Sequence, residues 1–395
     1  MQNDHFIKAN TKEFWRATLA LTIGAFVVFS NLHITQPLLP LLSKDFGISP
    51  ATASLTVTLV TLTLSAFLLF FGPVSDAVGR KQIMALGLLA SSIISIIIFF
   101  APNFASLVAL RAVQGVFLAS LPAIAYAYIG EEFETKSVAM VIGIYISGNS
   151  LGGMAGRIIS GFVADFWGWR FSFLVMGLFG LISFLVFLFL LPRSSNFRAK
   201  NFTKLKAIQD IFIHWRNPVL RRAYYLAGII FFIFVGLFNY LGYYLHAEPY
   251  YLSTTIIGLL YLTYLAGTFS STLSGKLADR LTIVQRIFFG LVITLVGLLL
   301  MLLKPLVIIF MALIFIVFGF FFTHSAASSW VSFHAKEARA SASALYLFSY
   351  YMGGSMGSSF LGYIWEPFGW NAVILVTIIL VLLGMWNVKL MSQLD

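Results

Sequence analysis

Two arginines, Arg111 and Arg157, stand inside long apolar runs that contain no aspartate or glutamate. A guanidinium placed so costs roughly 2.5–3.5 kcal/mol on membrane-insertion scales, so it calls for a partner, a water-filled cavity or an anionic ligand. Arginine offers five donors in a planar fork suited to a carboxylate, and lysine would keep the charge without the fork. The alternative for Arg111 is snorkelling, since it lies about two turns from the end of its run and could reach lipid headgroups. Gln114, Asn149 and Ser150 are neutral candidates to bond the two arginines, and Asp165 is the acid nearest Arg157 in sequence.

Carriers for a proton are few. All 14 Asp and Glu fall in loops, termini or the edges of apolar runs, among them Asp45, Asp165, Glu248 and Glu366. A proton relay would therefore use His33, His324, or an edge acid such as Asp76 or Glu248, histidine being the side chain that titrates near neutral pH. Each histidine is equally well read as a neutral hydrogen-bonding residue. Near the first of them, Asn31 and Thr35 share one helical stripe, while His33, Gln36, Pro37 and Pro40 share an adjacent one, which points to a cavity rather than lipid. Asn239, Tyr240, Tyr243 and His246, then Tyr261, Tyr264 and Thr268, then Tyr346 and Tyr350 supply an aromatic, hydrogen-bonding wall from the second half of the chain. Tyr243 and Tyr261, close to run ends, also fit an interfacial belt. No nucleotide-binding loop, no H-E-x-x-H spacing and no grouped serine, histidine and acid support catalysis, so neither an enzyme nor a metal or cofactor is expected.

The chain that must position these residues has 395 of them, 60% hydrophobic and 10% charged, where a soluble domain carries roughly 25% charged residues. Such an excess of apolar surface, including 41 Phe, must face hydrocarbon. Runs long enough to cross a bilayer fall near 15–42, 52–73, 82–101, 104–129, 137–163 and 171–191, and again near 223–247, 254–275, 286–303, 305–330, 340–363 and 370–390. The first is too long for a signal segment and lacks a convincing cleavage site, so it is expected to be retained. The expectation is an all-α membrane protein of twelve transmembrane helices in two pseudo-symmetric six-helix bundles, at 1–191 and 223–395, joined by a cytoplasmic linker at 192–222. In that linker Ile208, Ile211, Phe212 and Trp215 could form an interfacial amphipathic helix. The chain has no cysteine, which excludes disulfides and thiolate metal sites.

With the N-terminus placed in the cytoplasm, 20 of the 25 Lys and Arg fall on inner segments and only Lys44, Arg170 and Lys304 on outer ones. The positive-inside rule then puts both termini in the cytoplasm. The net charge of +11 is thereby assigned to the membrane surface, and nucleic acid is not expected as a partner. The halves also repeat: at an offset of 201, positions 143–170 match Tyr145 with Tyr346, Gly152 and Gly153 with Gly353 and Gly354, Gly156 with Gly357, Gly161 with Gly362, Gly168 with Gly369 and Trp169 with Trp370.

Three motifs add to this. Between the second and third runs stands Gly72-Pro-Val-Ser-Asp76-Ala-Val-Gly79-Arg80-Lys81, echoed by Gly275-Lys-Leu-Ala-Asp279-Arg280 in the second half. It resembles the G-x-x-x-D-x-x-G-R-K signature of the major facilitator superfamily. The glycines permit a tight turn, and Asp76 can pair with Arg80 or accept from the positive end of a neighbouring helix. The resemblance implies a conformational latch at Gly72, Asp76, Gly79, Arg80 and Asp279 that shuts the cytoplasmic side. Arg111-Ala-Val-Gln114-Gly115 resembles the R-x-x-Q-G element of the drug:proton antiporter branch. Gly148, Gly152, Gly153 and Gly156 resemble that branch's G-x-x-x-G-P-x-x-G-G, with Gly153 in the place of proline and Arg157 in the place of the last glycine. Small residues four apart let helices touch at the backbone, either as a smooth moving interface or as ordinary tight packing.

The resemblance implies a twelve-span transporter working by alternating access, with the solute site between the halves. The residues then read first as a proton-driven exporter of small, partly apolar organic solutes. The alternative is an importer or facilitator of an anionic or polyhydroxylated metabolite, with Arg111 and Arg157 as anion ligands. The solute and the bilayer are the expected partners, the bacterial inner membrane the expected location, a monomer the functional unit and a proton gradient the driving force.

Overall fold

The computed structural model describes residues 6–197, 212–337 and 339–394, with backbone only at 339 and 340. Eleven helices are long and apolar enough to cross a bilayer. The last of them, Arg339–Met391, turns at Gly369, where φ is 70°, and so makes two spans. The order is α1 (Lys12–Phe46), α2 (Pro50–Val78), α3 (Arg80–Phe99), α4 (Phe104–Glu132), α5 (Thr135–Trp167), α6 (Trp169–Leu190), α7 (Pro218–His246), α8 (Thr254–Asp279), α9 (Ile283–Leu300), α10 (Leu306–His334), α11 (339–368) and α12 (370–391). All twelve expected spans are present. Helix α7 starts at Pro218, with Asn217 accepting from the amides of Val219 and Leu220, so the end of the expected 192–222 segment already belongs to a span. Ile208 and Ile211 lie outside the described residues. Phe212 and Trp215 sit on a single helical turn at 212–216, where Trp215 stacks on Tyr224 at 6.4 Å.

Local chemistry sets the ends. Ser49 accepts from Thr52 N ahead of Pro50, and capping boxes at Asn103 with Ser106 and at Thr282 with Gln285 start α4 and α9. Gly79, Gly168 and Gly369 make the tight turns at positive φ of 121°, 88° and 70°, where a Cβ would be strained. Gly168 and Gly369 are partners in the repeat, each turning one span directly into the next.

The glycines in the middle of the repeat pack within each half. A methyl group at Gly148, Gly152 or Gly156 of α5 would collide with Thr22, Phe26 or Ser30 of α1. In the second half a methyl group at Gly353 or Gly357 of α11 would collide with Gly228 or Phe232 of α7. The stripe therefore brings α1 against α5 and α7 against α11 at backbone distance inside each half.

The two halves meet at the end of the molecule opposite the Gly72–Lys81 turn. There Ser43 Oγ lies 2.6 Å from Tyr243 Oη, Thr58 Oγ1 lies 2.8 Å from Ser359 Oγ, and Ser355 donates to the Thr58 carbonyl at 2.9 Å. Moving toward the basic end, the last hydrogen bond between the halves among the described residues joins Ser150 to Thr268 at 3.1 Å. The halves are thus bonded over the sparsely charged end and the middle of the spans.

Candidate functional site

The site is built on a break in α1. The helix runs regularly over Lys12–His33, passes through a 3₁₀ turn at Gln36–Leu38, and resumes at Leu39. Pro37 and Pro40 lack the N–H that would continue the ladder. The carbonyls just before the break, in a low-dielectric setting, need donors from elsewhere. Arg111, fully buried on α4, supplies them. Its Nη1 donates to the Asn31 carbonyl at 2.8 Å, Nη2 to the Leu32 carbonyl at 2.9 Å, and Nε to the Thr56 carbonyl of α2 at 3.3 Å. A cation at a helix C-terminus is also favoured by the helix dipole. Gln114 Oε1 accepts from Arg111 at 2.5 Å, while Gln114 Nε2 donates to Ser95 Oγ at 2.6 Å and to the Ser91 carbonyl at 3.0 Å. Ser95 Oγ in turn donates to Asn31 Oδ1 at 2.6 Å. Gly115 rests against the Val60 carbonyl of α2. The R-x-x-Q-G element thus ties α1, α2, α3 and α4 together, and Arg111 does not snorkel.

Arg157, also buried, meets the same break from the other side. Its Nε donates to Gln36 Oε1 at 2.5 Å and its Nη1 to the Gly153 carbonyl at 2.6 Å. Its guanidinium carbon lies 4.6 Å from the ring centre of Tyr261 and 4.9 Å from that of Tyr264, both on α8 of the other half. A desolvated cation on aromatic faces gains ~2 kcal/mol. A Cβ at Gly153 would sit 3.3 Å from Arg157 Nη1 and 3.5 Å from the His33 ring. The two departures from the antiporter pattern are therefore coupled, the missing side chain at 153 making room for the guanidinium at 157.

From Arg157 a hydrogen-bond chain crosses between the halves. Gln36 Nε2 donates to Asn239 Oδ1 of α7 at 2.9 Å, Asn239 Nδ2 to Ser358 Oγ of α11 at 2.7 Å, and Ser358 Oγ to the Ser54 carbonyl of α2 at 3.2 Å. Tyr240 Oη donates to the Ser358 carbonyl at 2.7 Å. The aromatic wall continues from Tyr264 to Phe234 at 5.5 Å, on to Phe320 at 3.8 Å, and to His324, whose ring lies 4.7 Å from that of Tyr350. Tyr346 Oη lies 3.0 Å from His324 Nδ1, and Tyr350 stacks on Phe231 at 3.7 Å. Several buried polar atoms beside this chain have no partner: His33 Nδ1, Thr35 Oγ1 and Tyr264 Oη. Unpaired buried groups are costly.

At the basic end, Arg80 is paired with Asp76 and gripped by Glu131 of α4, with Nε–Oε2 at 3.1 Å and Nη2–Oε1 at 2.7 Å, and it donates to Ser75 Oγ at 2.6 Å. Lys81 donates to the Leu188 and Leu191 carbonyls at 2.8 and 2.5 Å, capping the end of α6. The second-half echo differs. Asp279 is exposed and joins no ion pair among the described residues, and Arg286 of α9 donates instead to the Ser274 carbonyl at 2.9 Å.

The structure thus gathers Asn31, His33, Gln36, Arg111, Gln114, Arg157, Asn239, Tyr264 and the His324–Tyr346–Tyr350 group around the α1 break and its facing wall. Asn149 bonds neither arginine, Ser150 faces Thr268, and Asp165 bonds α8 rather than Arg157. Tyr261 carries Arg157 on its face and is not an interfacial-belt residue. Glu131, Ser95 and Ser358 were not singled out by the sequence, because their roles depend on helices that only folding brings together.

The family model described as the Major Facilitator Superfamily matches residues 21–358. The chain belongs to that superfamily. It is 39% identical to the inner membrane transport protein YnfM of Escherichia coli over 94% of this chain and 89% of that one. It is 34% identical to the MFS-type transporter YybF of Bacillus subtilis over 96% and 94% of the two chains. A bacterial homologue of the human lysosomal transporter Spinster, solved in an inward-facing, unoccupied conformation, superposes with a TM-score of 0.81 at 17% identity, covering 98% of each chain. The superfamily fold expected from the Gly72–Lys81 motif and the repeat is the fold found, and the chain is a secondary transporter of small molecules, not an enzyme.

Proposed function

We propose that this transporter moves a small organic anion with an aromatic or apolar body out of the bacterial cytoplasm by alternating access, using the proton gradient. The observation that carries the reading is Arg157. It is a buried cation between the halves, it has no ion-pair partner among the described residues, and it lies on Tyr261 and Tyr264 beside the unpaired His33 Nδ1 and Tyr264 Oη. A carboxylate there would supply the missing counter-charge, and the wall from Tyr264 to His324 would take the apolar body. Arg111 has no such vacancy, so it positions α1 rather than binding the solute.

The positive-inside rule supports placing the basic end in the cytoplasm. With the halves bonded at the opposite end, this arrangement corresponds to an inward-facing state. Export suits an anion, because moving one negative charge out of a cell gains roughly 2.3 kcal/mol per 100 mV of membrane potential. His324, bonded to Tyr346, and His33, with its free Nδ1, are the proton carriers this reading names. A monomer contains every element of the site.

The test is a thermal-stability screen of the purified protein with matched pairs of aromatic carboxylic acids and their methyl esters. A bound ligand raises apparent stability by mass action. The reading requires acids that stabilise and esters that do not. Equal stabilisation by ester and acid would remove the anion from the proposal.

A further inference from the structure

The sparsely charged end holds two carboxylates that no motif pointed to as a pair. Asp165, near the end of α5, accepts from the amides of Thr254 and Thr255 at 3.2 and 2.7 Å, the first residues of α8 in the other half. Glu366, near the end of α11, accepts from the amide of Ala51 at 3.0 Å, in the first turn of α2 in the other half. Asp165 and Glu366 stand 201 positions apart, the offset that relates the repeated glycines. Each half therefore reaches across and caps a helix N-terminus of its partner. Close backbone packing lies directly beside each cap: a Cβ added at Gly161 of α5 would sit 2.6 Å from the Thr254 carbonyl, and one at Gly362 of α11 would sit 2.8 Å from Ala51 Cα.

We propose that Asp165 and Glu366 are a reciprocal pair of positioning residues that hold the transporter shut at this end, each binding the free amides and positive dipole of a helix from the opposite half. The pairing rests on the alternating-access reading above. An amide at the start of a helix has no partner in its own helix, so a carboxylate satisfies it with a charge-assisted bond. When the halves part at this end, both caps are lost together. Because they belong to one rigid-body motion, their effects on the open-to-closed ratio should multiply. Asp45 is the internal contrast: it is an acid at the same end, but its partners Trp169, at 2.7 Å, and Arg170, at 3.5 Å, lie in its own half.

The chain contains no cysteine, so labels can be placed without background substitutions. Spin labels at P102C and L303C report separation at this end, and labels at K136C and R280C report the basic end, in the full-length protein in lipid nanodiscs. Asp165→Asn and Glu366→Gln should each raise the open-to-closed ratio at P102C/L303C roughly fivefold, and together roughly 25-fold, with Asp45→Asn unchanged. The K136C/R280C distance should shorten in the same variants. If neither variant shifts P102C/L303C, or if Asp45→Asn shifts it equally, the latch is overturned. If P102C/L303C lengthens while K136C/R280C stays fixed, the latch holds and alternating access is what fails.

Discussion

Arg111→Ala should unfold the transporter before it disables it. Four acceptors lose their donor: the carbonyls of Asn31, Leu32 and Thr56, and Gln114 Oε1. Hydrogen bonds inside membranes average roughly 0.6 kcal/mol and reach about 1.7, and charge assistance moves these four toward the upper value. Their sum is about 2–7 kcal/mol, enough to lower the melting temperature of a chain of this length by about 3–8 °C. Arg111→Lys keeps the charge but replaces a planar fork reaching three helices with one nitrogen, so it should recover less than half of the loss. Intrinsic tryptophan fluorescence on heating, in one fixed detergent, reads this directly. A melting temperature for Arg111→Ala within about 1 °C of the parent would refute the idea that Arg111 holds the α1 break.

Three further outcomes follow from the same geometry. Gly353→Val places a branched side chain against the Gly228 backbone and should abolish recoverable folded protein in a size-exclusion profile, whereas Gly143→Val, with open space at that position, should not. Glu131→Gln removes the two-point grip on Arg80 and should lower transport several-fold with little change in expression, measured as flux per molecule in proteoliposomes. His324→Gln keeps a hydrogen-bonding group near Tyr346 and should abolish pH-gradient-driven flux while leaving ligand stabilisation measurable; unimpaired driven flux would move the proton route to His33 or elsewhere.

Most of the fold could be read from the chain because the bilayer imposes length and polarity on each span. The twelve runs and the glycine offset each follow from one local rule. The candidate site was legible only as a set of unusual residues. Arg111 and Arg157 were conspicuous as intramembrane cations, but their division of labour depends on the 3₁₀ turn at Gln36–Leu38, and Pro37 and Pro40 were its sole signal. The glycine stripe pointed to backbone contact without saying which helix it touched. Glu131 looked like any acid at a span end, since its tie to Arg80 needs α2, α3 and α4 side by side. Asp165 and Glu366 carried a readable clue in their 201-residue spacing, yet capping across the halves is a property of the assembled interface.

Arg157 is the group proposed to bind an anionic solute between the halves. Counterflow in proteoliposomes tests it most directly: a radiolabelled aromatic carboxylate is exchanged against its unlabelled form, with no gradient applied. Counted per folded molecule, the parent should exchange it, Arg157→Ala should lose at least tenfold, and Arg157→Lys should retain part of the activity. Exchange by Arg157→Ala at the parent rate would show that Arg157 does not bind the solute.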